Sequence, residues 1–496
     1  MNATDTIKAR EDSADPHHDR RWLILALLGT AQLMVVLDAT VVNIALPSAQ
    51  HALGFSDANR QWIVTAYSLT FGSLLLLFGR FGDLFGRKRM LVIGLVAFGV
   101  VSAIGGAAQS FGMLVTARAF QGAAGALLAP SALGLLTTTF TEPRERGIAF
   151  GIYGAIAGAG GAVGLLLGGV LTEYLSWRWC LYVNVLIAVP AVCAALMLLT
   201  NQVPTERPRL DVPGAIAVSV GLFLIVYGFS QAEPRGWTDL ETLGSLVAGV
   251  ILLGVFAGIE RRSDHALLPL NIVLDRNRGG SYLSVLISGA GLFGVFLFLT
   301  YYLQKTLLYS PVVTGLAFLP MVGMIIIGST TSNAVLLPRF GPKPLVPTGM
   351  LLAALGMVIL AQLGVHSTYA GHILPALLVI GLGLGLIFAP SINTATLGVN
   401  TEEAGVASAT VNSCQQVGGS IGTAFLNTIA TTAVTSYLVG KAVTPLVAAQ
   451  AAVHGYTVAF WWAAGIFLAG AVVAGTLFRP GTAVATSEAQ PAAVVA

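Results

Sequence analysis

Charged side chains are scarce in this chain of 496 residues, of which only 9% are Asp, Glu, Lys or Arg. Soluble globular domains usually carry about 25% charged residues, so this composition excludes a soluble fold. Hydrophobic residues make up 55% of the sequence. The composition therefore predicts a polytopic membrane protein.

Cysteine is also rare, with three residues in the whole chain, and this excludes a disulfide framework. Cys180 and Cys193 lie thirteen residues apart on one predicted helix, about 20 Å, which is too far to pair. The net charge of +3 gives no support for nucleic-acid binding. With no His, Cys and carboxylate cluster at membrane depth, we expect no metal, no cofactor and no enzyme active site. A membrane enzyme or sensor is the least favoured function.

The two ends of the chain lack apolar runs. Residues 1–21 are polar and charged up to Trp22, which predicts a disordered cytoplasmic tail and no signal peptide. Residues 479–496 are predicted to form a second disordered cytoplasmic tail.

Between the tails lie fourteen apolar runs, each long enough to cross a hydrocarbon core of about 30 Å. They begin near Trp22, Gln61, Met90, Phe111, Ile148, Trp179, Pro213, Thr242, Gly279, Pro311, Leu345, Gly371, Gly405 and Tyr456. An even number puts both termini on one side, and nineteen of the 25 Lys and Arg residues fall on that side. The opposite segments hold only Arg60, Arg178, Arg235, Lys305 and Lys441. The positive-inside rule therefore predicts cytoplasmic termini in the inner (cytoplasmic) membrane.

An internal repeat divides the runs into two sets. FGRKRML at 85–91 recurs as FGPKPLV at 340–346, and Gly161 and Gly164 map onto Gly419 and Gly422 at a similar offset. Duplicated units of this kind predict two six-helix bundles, residues 22–200 and 279–478. Residues 212–260 have no repeat partner, so we expect an inserted helix pair at the bundle periphery. The predicted fold is all-α with fourteen transmembrane helices.

A charged segment, GRFGDLFGRKRM, separates the second and third apolar runs. Its glycines allow a tight turn and close backbone approach, and it carries charge of both signs at a membrane surface. A positive loop that only sets topology is the simpler explanation. The spacing resembles the loop between helices two and three of the major facilitator superfamily, which implies a conformational hinge. The hinge residues are Gly79, Asp83, Gly86, Arg87 and Lys88.

Only two ionisable residues, Asp38 and Arg118, lie well inside the predicted spans. An ionised side chain at mid-bilayer costs about 2.5 to 3.5 kcal/mol, so each should face a cavity or a partner. Both fall in the outer half of the hydrocarbon core when counted along their helices. A static ion pair that ties two helices together is one explanation. The functional one is a proton site with Asp38 as the carrier.

The segments around these residues resemble a particular family. LDATVVNIALP at 37–47 and RAFQGAAGA at 118–126 are similar to motifs of the fourteen-helix drug:proton antiporters of the EmrB/QacA type. The resemblance covers nearly all of residues 22–478 and implies a protonatable acid at Asp38 and an Arg118 that interacts with the proton pathway. It also implies a glycine stripe in helix five, formed here by Gly160, Gly161, Gly164, Gly168 and Gly169. Glycines of this kind permit close helix crossing.

Other polar side chains are candidates for contact with substrate. The segment at 301–320 resembles the family's outer hairpin, with Gln304 as a possible gate, although Tyr301 and Tyr302 would suit an aromatic interface belt equally well. Four amides in helices twelve and thirteen either hydrogen-bond neighbouring helices or face substrate. They are Asn393, Asn412, Gln415 and Gln416.

These features predict a proton-coupled antiporter that exports amphipathic or hydrophobic small molecules, such as drugs and antibiotics, by alternating access. We expect the partners to be substrate, protons and the lipid bilayer, with no cofactor beyond the proton gradient and a monomeric chain. The alternative is a facilitator or symporter for uptake of a small nutrient, which would not need a titrating Asp38.

Overall fold

Fourteen long helices account for most of the residues that the computed structural model describes, which are 20–57, 59–140, 142–200, 211–262, 273–396, 404–442 and 444–480. The first eight are α1 Arg21–Leu53, α2 Gln61–Phe85, α3 Arg87–Gly106, α4 Phe111–Thr139, α5 Pro143–Tyr174, α6 Trp179–Leu198, α7 Val212–Arg235 and α8 Leu240–Glu260. The other six are α9 Arg276–Tyr301, α10 Pro311–Thr331, α11 Pro342–Leu360, α12 Leu374–Thr396, α13 Ala404–Leu438 and α14 Pro445–Leu477. Residues 1–19 and 481–496 of the predicted tails lie outside the described ranges.

Three π-helical turns adjoin these helices. The turn Tyr302–Thr306 follows α9, and Tyr369–Ile373 precedes α12. A third, Ser332–Leu336, joins α10 to a final short helix at Leu337–Phe340. Within the described ranges, eleven helices are long and apolar enough to cross a membrane. A polytopic all-α fold is therefore confirmed, whereas fourteen crossings remain a prediction.

The helix starts follow local capping signals. Six helices begin after a Ser, Thr or Asp side chain that accepts a hydrogen bond from a first-turn amide, namely Ser110, Asp211, Asp239, Asp275, Ser310 and Thr444. The last predicted start, Tyr456, was wrong, because α14 begins at Pro445. Thr444 caps that helix and an alanine-rich stretch extends it before the strongly apolar run begins.

The turn in the charged segment is smaller than the glycine spacing suggested. Helix α2 continues through Gly79 and Gly82 to Phe85, and only Gly86 turns the chain, with φ at 92°. Added Cβ atoms at Gly79 and Gly82 would meet neighbours only at 3.6 Å, an ordinary contact. The predicted tight turn is therefore found at Gly86 alone, and the predicted close backbone approach is absent at Gly79 and Gly82.

The two bundles repeat the same packing. In the first, α1 packs on α5, α2 on α4 and α3 on α6; in the second, α9 packs on α13, α10 on α12 and α11 on α14. Each helix pair of the first bundle corresponds to a pair in the second bundle whose helix numbers are eight higher. This confirms the duplication that the sequence repeat predicted.

Two helix pairs make most of the contacts between the bundles, α2 with α13 and α5 with α10. The inserted α7 packs along α2 and α13, and α8 packs on α7. Several contacts between the bundles lie at the end of the molecule where α1 ends and α2 begins, which we call the closed end. There the amide of Val312 donates to Glu173 over 2.9 Å, and Gln304 Nε2 donates to the Ile44 carbonyl over 3.0 Å.

Candidate functional site

Asp38 and Arg118 meet inside the first bundle. Asp38 lies midway along α1 and Arg118 in the third turn of α4, and their side chains are 0% and 2% exposed. Arg118 Nη1 lies 2.5 Å from Asp38 Oδ2. The structure thus brings together the two ionisable residues that the sequence placed at membrane depth.

Two amides complete the shell around the Asp38 carboxylate. Asn184 Nδ2 of α6 donates to Asp38 Oδ1 over 2.7 Å, and Gln121 Nε2 of α4 donates to the same oxygen over 3.1 Å. Gln121 Nε2 also contacts Ser102 Oγ of α3 at 2.7 Å. Sequence reasoning missed these residues, although Gln121 stands inside the quoted RAFQGAAGA segment. Three side-chain donors on three different residues therefore surround one buried carboxylate.

Arg118 has supports that do not depend on Asp38. Its Nε donates to the Ile63 carbonyl over 3.1 Å, and its guanidinium lies 4.3 Å from the centre of the Tyr67 ring. Its Nη1 also donates to Gln121 Oε1 over 2.9 Å. The arginine therefore keeps partners on α2 and α4 if Asp38 loses its charge.

Asn184 places both a donor and an acceptor beside Asp38. Its amide nitrogen serves the carboxylate, while its Oδ1 is buried with no hydrogen-bond partner in the described structure. An amide can donate through nitrogen and accept through oxygen. Rotation of the amide would let Oδ1 accept a hydrogen bond at the same position, so Asn184 can present either a donor or an acceptor to Asp38.

The glycines of α5 differ in how closely they pack against α1 beside this site. A Cβ at Gly164 would fall 1.9 Å from Thr40 Oγ1, and one at Gly168 would fall 2.8 Å from the Val41 carbonyl. Gly160 also faces α1, whereas Gly169 faces Pro311 of the other bundle. Gly161 has no heavy atom within 4 Å of an added Cβ, so its place in a close-crossing stripe was wrong.

The charged segment contacts its own bundle at the end opposite the closed end. Arg87 Nη1 donates to the Gly134 carbonyl of α4 over 2.7 Å. Lys88 Nζ donates to the carbonyls of Leu196 and Leu199 at the end of α6, where a cation is favoured by the helix dipole. The side chain of Asp83 lies outside the described residues.

The candidate substrate amides differ in their surroundings. Gln304 links the bundles at the closed end, whereas Asn393 and Asn412 are exposed and Gln415 is half-buried. Gln416 of α13 packs against Gly72 of α2, and its buried Oε1 has no partner among the described residues. The amide of Gln416 therefore offers a free acceptor between the bundles. Within the described ranges, no group of His, Cys, Asp and Glu could hold a metal ion.

Sequence reasoning also missed Arg60, which is 3% exposed at the closed end. Its guanidinium lies 4.3 Å from the ring centre of Tyr301, which is 0% exposed. Tyr302 is equally buried and donates to the Gly364 carbonyl over 2.6 Å. The alternative of an aromatic interface belt at Tyr301 and Tyr302 was therefore wrong.

Comparison with solved structures supports the fold. A bacterial homologue of the human lysosomal transporter Spinster, in an inward-facing and occupied conformation, superposes with a TM-score of 0.64 at 15% identity, over 94% of this chain and 98% of that one. An auto-inhibited peptide transporter of the POT family gives 0.65 at 14% identity, over 93% and 99%.

Comparison with curated proteins finds closer relatives. The puromycin resistance protein of Streptomyces alboniger is 51% identical over 460 residues, 92% of this chain and 91% of the relative. The cephamycin export protein of Amycolatopsis lactamdurans is 39% identical over 82% and 84%, and the tetracenomycin C resistance and export protein of Streptomyces glaucescens is 36% identical over 83% and 76%. The model of the Major Facilitator Superfamily matches residues 28–423. With its two repeated bundles and these relatives, the chain belongs to the major facilitator superfamily of membrane transporters.

Proposed function

We propose that this transporter is a proton-coupled antiporter of the fourteen-helix type that exports antibiotic-like amphipathic or hydrophobic molecules. The observation that carries the coupling is the buried Asp38 carboxylate with its three donors from Arg118, Gln121 and Asn184. The names of the relatives support export as the direction, and puromycin is the first compound to test because the relative at 51% identity confers resistance to it.

The orientation follows from the positive residues. If the termini are cytoplasmic, the closed end faces the outside, and the structure corresponds to an outer-closed state. In that state Asp38 is sealed from water. Separation of the bundles at the outer face gives an external proton a route to Asp38, and closure then carries the proton to the inner side.

The two protonation states differ in what holds α1 to α4. The ionised carboxylate binds Arg118 directly, so the helices are tied by a charge-assisted hydrogen bond. A neutral Asp38 loses this attraction, while Arg118 remains on Ile63 and Tyr67. Protonation thus loosens α1 against α4 and favours a different arrangement of the bundle, which is the required link between proton and conformation.

The proton gradient can supply the energy. One proton that crosses 100 mV yields about 2.3 kcal/mol, which matches a concentration ratio of roughly fifty-fold for a neutral substrate at one proton per cycle. A pH gradient adds to this. No resident cofactor is needed, and we expect the chain to act as a monomer.

A nutrient facilitator or symporter is the second candidate. The same bundles would serve it, but a carboxylate buried with three donors and an adaptable amide has no role in facilitated diffusion. For the site itself, the corresponding alternative is a static ion pair between Asp38 and Arg118 that only ties α1 to α4. Both lead to the expectation that neutralising Asp38 leaves the rate of transport unchanged.

The test is puromycin-driven proton release from proteoliposomes that contain either the wild-type chain or Asp38→Asn. The variant should bind puromycin and release no protons, because the amide has nearly the same size and cannot titrate. Asp38→Glu should retain part of the activity. Undiminished proton release by Asp38→Asn would move the coupling site elsewhere, with Glu402 and Glu403, which lie outside the described residues, as the next candidates.

A further inference from the structure

Arg60 is a buried cation at the closed end whose partners belong mostly to the other bundle. It immediately precedes α2, and its Cζ lies 4.3 Å from the ring centre of Tyr301, 5.6 Å from Phe298 and 5.8 Å from Tyr456. Its Nε donates to Asn427 Oδ1 over 3.1 Å. These four residues come from α9, α14 and α13 of the second bundle. We call them the aromatic cage.

Within its own bundle Arg60 has weaker support. Its Nη1 lies 3.5 Å from Asp57 Oδ1, and the Asp57 side chain is 60% exposed. A buried guanidinium without partners is strongly unfavourable, so the burial of Arg60 depends on the aromatic cage. The cage can hold this cation only while the bundles touch at the closed end.

We propose that the aromatic cage is a binding site for guanidinium-type cations, and that Arg60 is its tethered ligand and the latch of the closed end. The proposal rests on alternating access in the proposed function, because the latch must open once in each cycle. A ligand that binds only one of two states shifts the population toward that state, and here the ligand is part of the chain.

The chemistry of the cage favours arginine over lysine. A planar guanidinium can lie over the Tyr301 ring while its Nε–H points to the amide oxygen of Asn427. An ammonium group has no such plane and is more strongly hydrated. Arg60→Lys should therefore keep the charge and still weaken the latch.

Protons do not control the latch across the physiological range. The groups that face Arg60 are Asp57, Tyr301 and Tyr456, with Lys305 beyond Asp57. Partial desolvation opposes ionisation of Asp57, but Arg60, Gln50 and Lys305 together hold its pKa below the usual value. The stabilising contribution of the ionised Asp57 carboxylate is present above pH 3.8, its ordinary pKa. It is lost only as the pH falls through the lowered pKa. Proton sensing at Asp38 and latching at Arg60 are thus separate.

The experiment reports opening of the closed end through a single reactive cysteine. Thr300 is buried one turn before Gln304, which reaches α1 across the bundle interface. Thr300→Cys in a chain whose native cysteines are replaced by Ser gives a thiol that a membrane-impermeant maleimide reaches from outside only when this end opens. Labelling is measured in spheroplasts.

Arg60→Ala should raise the labelling rate roughly tenfold, which corresponds to about 1.4 kcal/mol in the closing equilibrium. Tyr301→Leu, which removes the closest ring from the other bundle, should have a similar effect and covers the case in which Arg60→Ala fails to fold. Millimolar methylguanidinium should slow labelling of Arg60→Ala again, since the cation refills the vacated cage. It should not slow labelling of Tyr301→Leu.

Arg178→Ala is the matched control. Arg178 also lies on the closed side and stacks on an aromatic ring, Trp177, but its hydrogen bonds go to Gly106 and Ala108 of its own bundle. Its loss should leave labelling unchanged. Unaltered labelling in both Arg60→Ala and Tyr301→Leu, or slowing by methylguanidinium in every variant alike, would overturn the proposal.

The labelling requires neither puromycin nor a proton gradient. The labelling result therefore tests the latch, and proton release by Asp38→Asn tests the proposed antiport. Either one can fail while the other succeeds.

Discussion

Arg118 Nη1 on α4 lies 2.5 Å from Asp38 Oδ2 on α1, eighty residues earlier in the chain, and both side chains are buried. Breaking a buried ion pair by removing one partner usually costs 3 to 5 kcal/mol, because the other charge is left uncompensated. Here the other contacts of Arg118 reduce that cost when Asp38 becomes neutral. The arrangement suits a carboxylate that changes charge during its working cycle.

Asn184 should be needed for transport because it joins α6 to the Asp38 carboxylate. Asn184→Leu keeps a side chain of similar size but removes the donor to Asp38 Oδ1. A hydrogen bond to a charged group contributes about 1.5 to 3 kcal/mol, so the unfolding temperature should fall. Puromycin-driven proton release from proteoliposomes should weaken severalfold.

Asn43→Leu is the control for that loss. Asn43 is also buried in the first bundle, but its amide donates to the Ala39 carbonyl within its own helix. Equal losses of proton release in both variants would indicate a general loss of polarity in the bundle and not a role for Asn184 at Asp38.

Gly164 and Gly161 should respond in opposite ways to the same added methyl group. Gly164→Ala would place a Cβ 1.9 Å from Thr40 Oγ1 and 3.2 Å from the Leu37 carbonyl, on either side of Asp38. Overpacking of this kind costs about 1 to 3 kcal/mol, so we expect a lower unfolding temperature and weaker puromycin resistance.

Gly161→Ala has open space around its Cβ and replaces glycine with a better helix former. Its unfolding temperature and resistance should equal or slightly exceed those of the wild type. If the two alanine variants behaved alike, close packing of α5 on α1 would not be the function of Gly164.

Arg87 should be needed for transport even though it lies far from Asp38. Arg87→Ala removes the hydrogen bond to the Gly134 carbonyl and with it the tie between the start of α3 and α4. Loss of a charge-assisted bond of about 1.5 kcal/mol would reduce transport about tenfold, with expression nearly unchanged. We expect the same outcome from Asp83→Asn. Puromycin efflux in cells is the measurement.

Arg89 provides the comparison for Arg87. It carries the same charge two residues later and its side chain is exposed. Arg89→Ala should retain transport. Full resistance in Arg87→Ala as well would reduce the segment to a topology signal.

The inserted pair should tolerate change on one face only. Ser219 Oγ of α7 donates to the Ser73 carbonyl of α2 over 3.0 Å, and Thr428 Oγ1 of α13 donates to the Phe229 carbonyl over 3.2 Å. Ser219→Trp should therefore impair puromycin efflux by wedging α7 away from α2. Ile216→Trp, at a position 57% exposed, should not. Loss of efflux from both would place α7 in the core of the transport path.

Several features of this protein follow from the sequence alone because they depend on local composition and spacing. The apolar runs located the helices, and thirteen of fourteen starts agree with the structure within about five residues. The repeat at an offset near 258 predicted the duplicated bundles. The cost of ionised groups in a membrane singled out Asp38 and Arg118 before any contact between them was known.

Tertiary structure decided which side chains meet. Asn184 reaches Asp38 across 146 residues, and Arg60 reaches Asn427 across 367. Hydropathy and spacing report how a segment meets lipid and water, but not which face of one helix lies against another. For that reason the sequence could not separate Gly164, pressed against Thr40, from Gly161, which faces open space, and it could not show that Arg60 is buried among aromatic rings of the other bundle.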